Sequence, residues 1–261
     1  MARGLTPGQG QWRHVDSGRC RSGHAVSWPA ASLTLMARPA RRHAPAPADD
    51  AAQRTADRAW WLRALLVFQA PRPVFAALRN ATPQDVDARQ EPVLAFVLLA
   101  GIAGVLASPT AGTLLDDPAR DGVVVAIFAF LAGGIYAFFG YLIGGAAVYF
   151  GARAAGGGGT YRAGRHIFGF AVAPVALSLF VLWPVRLALY GSDSFRSDGS
   201  DSATANHVFG GLQLAFAFWA LALLVIGVRT VHGWSWGRAL AAVTAAAAVL
   251  VCFVALWPLL G

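Results

Sequence analysis

Gly159 opens the run G-T-Y-R-A-G-R-H, in which two glycines stand five residues apart and a cation follows the second. This comes close to the phosphate-cradling pattern G-x-x-x-x-G-K-[ST], whose backbone N–H groups and lysine hold a nucleotide's phosphates while a hydroxyl holds magnesium. Arg165 and His166 occupy the lysine and hydroxyl positions here, so the magnesium ligand is missing. A phosphate loop also follows a strand and opens a soluble helix, whereas this run lies between two long apolar stretches. No nucleotide site is expected, and the glycines of AGGGGT are read as a sharp turn.

Other residue types that carry chemistry are scattered. His14, His24 and His43 lie in the amino-terminal segment, His166 and His232 border apolar runs on one side, and His207 borders one on the other. No two have ligand spacing, and no H-E-x-x-H helix occurs. Ser108 and Ser178 lack a neighbouring base or acid that would make either a nucleophile. Cys20 and Cys252 are too few and too far apart for a disulfide framework or a thiolate metal site. Neither a catalytic residue, a cofactor site nor a metal site is expected, and the chain is not read as an enzyme.

The elements that would position any site are membrane helices. Hydrophobic residues make up 56% of the 261 and charged residues only 13%, against roughly 45–50% and about 25% in soluble domains. Five apolar runs, at about 93–111, 123–150, 167–190, 208–228 and 239–260, each approach or exceed the ~20 residues that a helix needs to cross a bilayer. They contain no Asp, Glu or Lys, and Arg186 is their one arginine, placed to meet Asp193 or a phosphate by snorkelling. Gln213, the one amide within a run, is read as a hydrogen bond between helices. An all-α protein with five transmembrane helices follows.

Charge between the runs sets an orientation. The segment before the first run carries 13 Arg against 7 acids, the first loop has three Asp to one Arg, and the second has Arg153, Arg162 and Arg165 with no acid. The third loop again has three Asp to one Arg, and the fourth has Arg229 and Arg238 with no acid. Arginine is retained on the cytoplasmic side, so the amino terminus is expected in the cytoplasm and the carboxyl terminus outside, in the cell (inner or plasma) membrane. The net charge of +8 is spread among apolar runs rather than gathered on one soluble face, which argues against a nucleic-acid partner. All 21 basic residues are arginine, a mark of coding bias rather than of chemistry.

Residues 1–57, rich in Arg, Ala and Pro, are expected to be disordered. Met36 opens M-A-R-P as Met1 opens M-A-R-G, so it is a second candidate start; AVSWPAASLTLMA is a poor signal peptide because its apolar run holds a proline. Residues 58–92 form an amphipathic juxtamembrane segment. Its paired tryptophans, leucines and phenylalanines and its spaced arginines either lie in the headgroup plane or pack their apolar side on the other helices. Arg58, Arg63, Arg72 and Arg79, with Arg153, Arg162, Arg165, Arg229 and Arg238, are candidate contacts for anionic headgroups. Trp60, Trp61, Trp234 and Trp236 are read as an inner interfacial belt. Trp183 and Trp257, in the repeated Leu-Trp-Pro, form the outer one.

In the second run Gly133, Ala137, Gly140, Gly144, Ala147 and Gly151 recur at spacings of four and three. Small residues in one stripe let helix backbones approach closely, either within this chain or against another protomer or membrane protein.

Several of these features also occur together elsewhere. F-x-x-P-x-x-V-F at Phe68 to Phe75, the long glycine-rich second helix, the G-T-Y loop, the run His166 to Pro174 ending in A-x-A-P, and W-x-x-x-L-x-x-x-G at Trp219 to Gly227 appear in that order. In this, residues 60–261 resemble the Yip family, named for interaction with Ypt/Rab GTPases, in its bacterial branch. The resemblance implies a five-helix membrane domain with a cytoplasmic amino terminus and no known catalytic residues. The amino-terminal tail departs from the partner-binding region of the eukaryotic relatives, so Rab binding is not carried over. The expected function is that of a non-enzymatic membrane protein organising lipid or partner proteins. The alternative is a permease or a membrane subunit of an export system.

Overall fold

The computed structural model describes residues 47–79, 83–108, 122–191 and 203–256, and every element among them is helical. In chain order these are α1 (Pro47–Leu66), α2 (Pro71–Ala77), α3 (Pro83–Ala88), α4 (Gln90–Leu106), α5 (Gly122–Ala154), α6 (Tyr161–Ala171), α7 (Ala173–Tyr190), α8 (Ala203–His232) and α9 (Trp236–Leu256). Four stretches are long and apolar enough to cross a membrane: 85–106, 126–154, 161–190 and 206–232. Within α9, Trp236–Cys252 forms a shorter apolar helix among the described residues. The expected tail up to residue 46, the outer loops and Trp257 lie outside the described residues.

Three boundaries differ from the sequence reading, each for a local reason. Residues 47–57, expected to be disordered, belong to α1; Pro47 sits at the first helical position, where its missing N–H costs nothing. The third apolar run is two helices. Val172 separates them because Pro174 has no N–H to donate and its ring crowds the preceding turn. The first of the pair also begins earlier, at Tyr161, since Thr160 caps it: its hydroxyl accepts a hydrogen bond from the Ala163 amide at 3.2 Å.

The 33 residues of α5 span about 50 Å at 1.5 Å per residue, more than the ~30 Å of a bilayer core. This helix is the spine, because α4, α6 and α9 all pack along it. Lipid offers little hydrophobic drive for such packing, so close backbone approach substitutes for it. A methyl built on Gly133 would lie 2.7 Å from the Ile102 Cα of α4, and one on Gly151 would meet the backbone of Ala242 and Ala246 in α9.

At one end of the bundle the core is aromatic. Phe170 of α6 stands at its centre, with ring centroids 6.1 Å from Trp60, 6.5 Å from Phe75 and 6.4 Å from Phe96. Phe68 meets Phe96 and Trp219 edge to face at 6.1 and 5.8 Å. Trp60, Val67, Val74 and Phe75 are buried, so the apolar side of the juxtamembrane segment packs on the helices. Yet α1 keeps a second apolar face, since Trp61, Leu62, Leu65 and Leu66 are exposed. One side of α1 therefore seals the bundle and the other is exposed.

Candidate functional site

The residues that could meet a ligand gather at the end of the bundle where α2, the α5–α6 turn and the α8–α9 turn come together. The α5–α6 turn reverses at Gly156 and Gly159, both at positive φ (77° and 150°), which glycine adopts without steric cost. Only about 10 Å3 of enclosed space lies beside this turn, among Thr160, Gly164 and His232, room for one water and not for a nucleotide. The glycines instead admit neighbours: Gly157 lies against the Trp234 ring.

Two of the predicted headgroup arginines close helix ends. Arg238 donates from Nε to the Ala155 carbonyl and from Nη2 to Gly156, both at 2.9 Å. Arg79 donates from Nε to Val231 at 3.1 Å and from Nη2 to Thr230. The last carbonyls of a helix have no intrahelical donor and carry negative partial charge, so a guanidinium fork is suited to cap α5 in one case and α8 in the other. Most of the remaining arginines lie over aromatic rings. Arg63 is 5.0 Å from the centroid of Trp60, Arg153 5.3 Å from Tyr149 and Arg229 4.5 Å from Trp236, and the capping Arg238 also lies 4.4 Å from Trp234. Arg165 lies between Tyr141 and Tyr161, at 5.3 and 5.0 Å. Arg58, Arg72 and Arg162 are exposed.

The tryptophans divide. Trp61 and Trp236 are exposed, Trp234 is half-buried and stacks on His232 at 4.4 Å, and Trp60 and Trp183 are buried within the chain. Trp60 is fully enclosed because its Nε1 donates to Asp85 Oδ1 at 3.0 Å while its ring packs on Phe170. Trp183 carries Arg186 over its ring at 5.4 Å.

The stripe on α5 meets three different elements. Gly133 and Ala137 face Gly101 and Ile102 of α4, Gly144 lies under Phe168 of α6, and Gly151 faces α9; Ala147 is buried. Gly140 differs, because a methyl there would meet nothing within 4 Å. It opens into a cavity of about 460 Å3 lined by Tyr136, Phe139, Phe168 and Leu250. Gly145 and Gly164, outside the stripe, form a further close approach: Arg165 crosses Gly145, and Gly164 faces the Gly145 carbonyl.

Sequence reasoning missed a buried polar layer between α4 and α6. His166 Nε2 lies 3.1 Å from Gln90 Oε1 with the imidazole fully buried. Arg89 is 4% exposed, its guanidinium 5.8 Å from the Trp60 centroid. The spacing Asp85 to Arg89, four apart on a short helix, was the available signal. Gln213 Nε2 donates to Ser178 Oγ at 3.2 Å, linking α8 to α7 as expected. Among the described residues no three His, Cys, Asp or Glu side chains gather as a metal site.

The motif residues now have structural roles. Phe68, Val74 and Phe75 of F-x-x-P-x-x-V-F enter the aromatic core, and Gly227 of W-x-x-x-L-x-x-x-G clears room for the Phe75 ring. Thr160 and Tyr161 of G-T-Y cap α6 and bond the Leu142 carbonyl at 2.9 Å, and A-x-A-P marks the break at Val172. No curated protein and no solved structure matches this sequence. The family model described as the Yip1 domain matches residues 64–257, nearly the whole of the described fold, and the chain is thus a member of the Yip family of multi-pass membrane proteins.

Proposed function

We propose that this protein is a non-enzymatic organiser of membrane or partner proteins in the cell membrane, with its amino terminus in the cytoplasm and its carboxyl terminus outside. The carrying observation is the meeting of α2, the α5–α6 turn and the α8–α9 turn, which brings arginines from three separate sequence segments to one end of the bundle. Arginines at the ends of apolar helices favour anionic headgroups and the cytoplasmic side. The cavity at Gly140 leaves part of the small-residue stripe open for another protomer or membrane protein.

Isolation in mild detergent, with lipid analysis and mass determination of the complex, tests this reading. Enrichment of anionic over zwitterionic lipid is expected, whereas lipid of bulk composition would refute it. The alternative, a permease or export subunit, draws support from a cavity of about 540 Å3 between α7 and α8, lined by Arg186, His207 and Gln213. Co-purification of an ATPase would favour that alternative.

A further inference from the structure

The cleft between α2 and the end of α8 has a built character that the other arginine positions lack. It is an open cleft of about 390 Å3, lined by Arg72, Arg79, Arg229, Thr230, Gly233 and Trp234 among others, and among the described residues no carboxylate lines it. This volume falls in the roughly 300–1,000 Å3 range of small-molecule sites. Arg72, Arg79 and Arg229 all line this cleft, and each is held differently. Arg79 is fixed by the Val231 and Thr230 carbonyls. Arg229 rests on the Trp236 ring, and its Nε is shielded from solvent with no hydrogen-bond partner. Arg72 reaches in from the first turn of α2 and is exposed.

The end of α8 would normally repel an anion, because its last carbonyls carry negative partial charge. Arg79 covers two of those carbonyls, which removes the repulsion and leaves its remaining N–H groups available. Gathered guanidiniums repel one another, and the anion that matches them best is one whose several oxygens accept paired N–H bonds, which is a phosphate. Thr230, also on the cleft wall, carries a neutral hydroxyl that can donate.

We infer that the cleft between α2 and the α8–α9 turn binds a phosphate group, that of an anionic lipid headgroup or of a soluble phosphate ester, through Arg72, Arg79 and Arg229. The inference rests on the proposed anionic-lipid reading of this end of the bundle and sharpens it from a general basic face to one cleft.

The full chain in mild detergent is titrated with short-chain phosphatidic acid, phosphatidylcholine, oleate and glycerol phosphate, and bound species are counted by native mass spectrometry. Phosphatidic acid is expected to bind about tenfold more tightly than phosphatidylcholine or oleate, the size of one charged hydrogen bond. Arg72→Gln and Arg229→Gln should each weaken it about tenfold, and Arg162→Gln, an exposed arginine outside the cleft, should not. If Arg229→Gln fails to fold, the exposed Arg72→Gln carries the comparison alone. Equal losses for Arg72→Gln and Arg162→Gln would overturn the cleft while leaving a general basic face. Binding of oleate as tight as that of phosphatidic acid would overturn phosphate recognition. Absence of any anionic preference would overturn both the cleft and the lipid reading. Glycerol phosphate competing as well as phosphatidic acid would assign the cleft to soluble phosphate esters, and failure to compete would assign it to the lipid.

Discussion

Two glycines on the same face of α5 should respond in opposite ways to the same added methyl. At Gly133 the new Cβ would lie 2.7 Å from the Ile102 Cα and 2.9 Å from its amide nitrogen. Ordinary contact begins at 3.4 Å, so α4 must retreat by about 0.7 Å, and backbone atoms have no rotamer by which to yield. Overpacking of a close-packed site costs about 1–3 kcal/mol. Alanine's greater helix preference returns about 1 kcal/mol of that. Gly133→Ala should therefore lose about 0–2 kcal/mol. At Gly140 nothing lies within 4 Å, so Gly140→Ala keeps only the helix preference and should be unchanged or up to about 1 kcal/mol more stable. Reversible unfolding in mixed micelles, by SDS titration followed through tryptophan fluorescence, measures both. A Gly133→Ala midpoint at or above that of Gly140→Ala would refute the packing argument. Should Gly140→Leu leave the fold intact yet abolish crosslinking between protomers, the open part of the stripe is an interface.

Two further outcomes follow from individual hydrogen bonds. His166→Leu should cost about 1–3 kcal/mol because it removes the partner of the half-buried Gln90 amide. The double variant with Gln90→Leu should recover part of that loss, and strict additivity in the same titration would show that the two side chains are not coupled. Arg238→Lys keeps the charge but loses the fork that caps α5. Amide exchange across residues 155–159 should rise about tenfold, as for loss of one net hydrogen bond; an unchanged rate would mean that the glycine turn holds without its cap.

The membrane helices were legible because their signal is local: an apolar run long enough to cross lipid declares itself without reference to its neighbours. The start of α1 at Pro47 was also written locally, in a proline followed by two aspartates, but the surrounding Arg, Ala and Pro content outweighed it. Arg162, Arg165 and His166 lowered the apolar signal and hid the first turns of α6, although Thr160 was present as a cap. Which arginines meet water was not legible. Arg79 and Arg238 find their carbonyls more than 80 residues away in sequence, and Arg89 and His166 are enclosed only because α1, α4 and α6 converge. Trp60 and Trp61 are adjacent, yet one is fully buried and the other exposed, a difference set by the face of α1 each occupies.

The aromatic centre also imposes an order on biogenesis. Trp60 and Phe75 leave the ribosome long before the groups that enclose them: Phe170 follows Trp60 by 110 residues, and Gly227, which clears space for the Phe75 ring, follows it by 152. Until α6 and α8 have been inserted, the apolar sides of α1 and α2 that end in the core are uncovered. An amphipathic segment in that state favours the bilayer surface, so the part that ends in the protein core is expected to rest on lipid first.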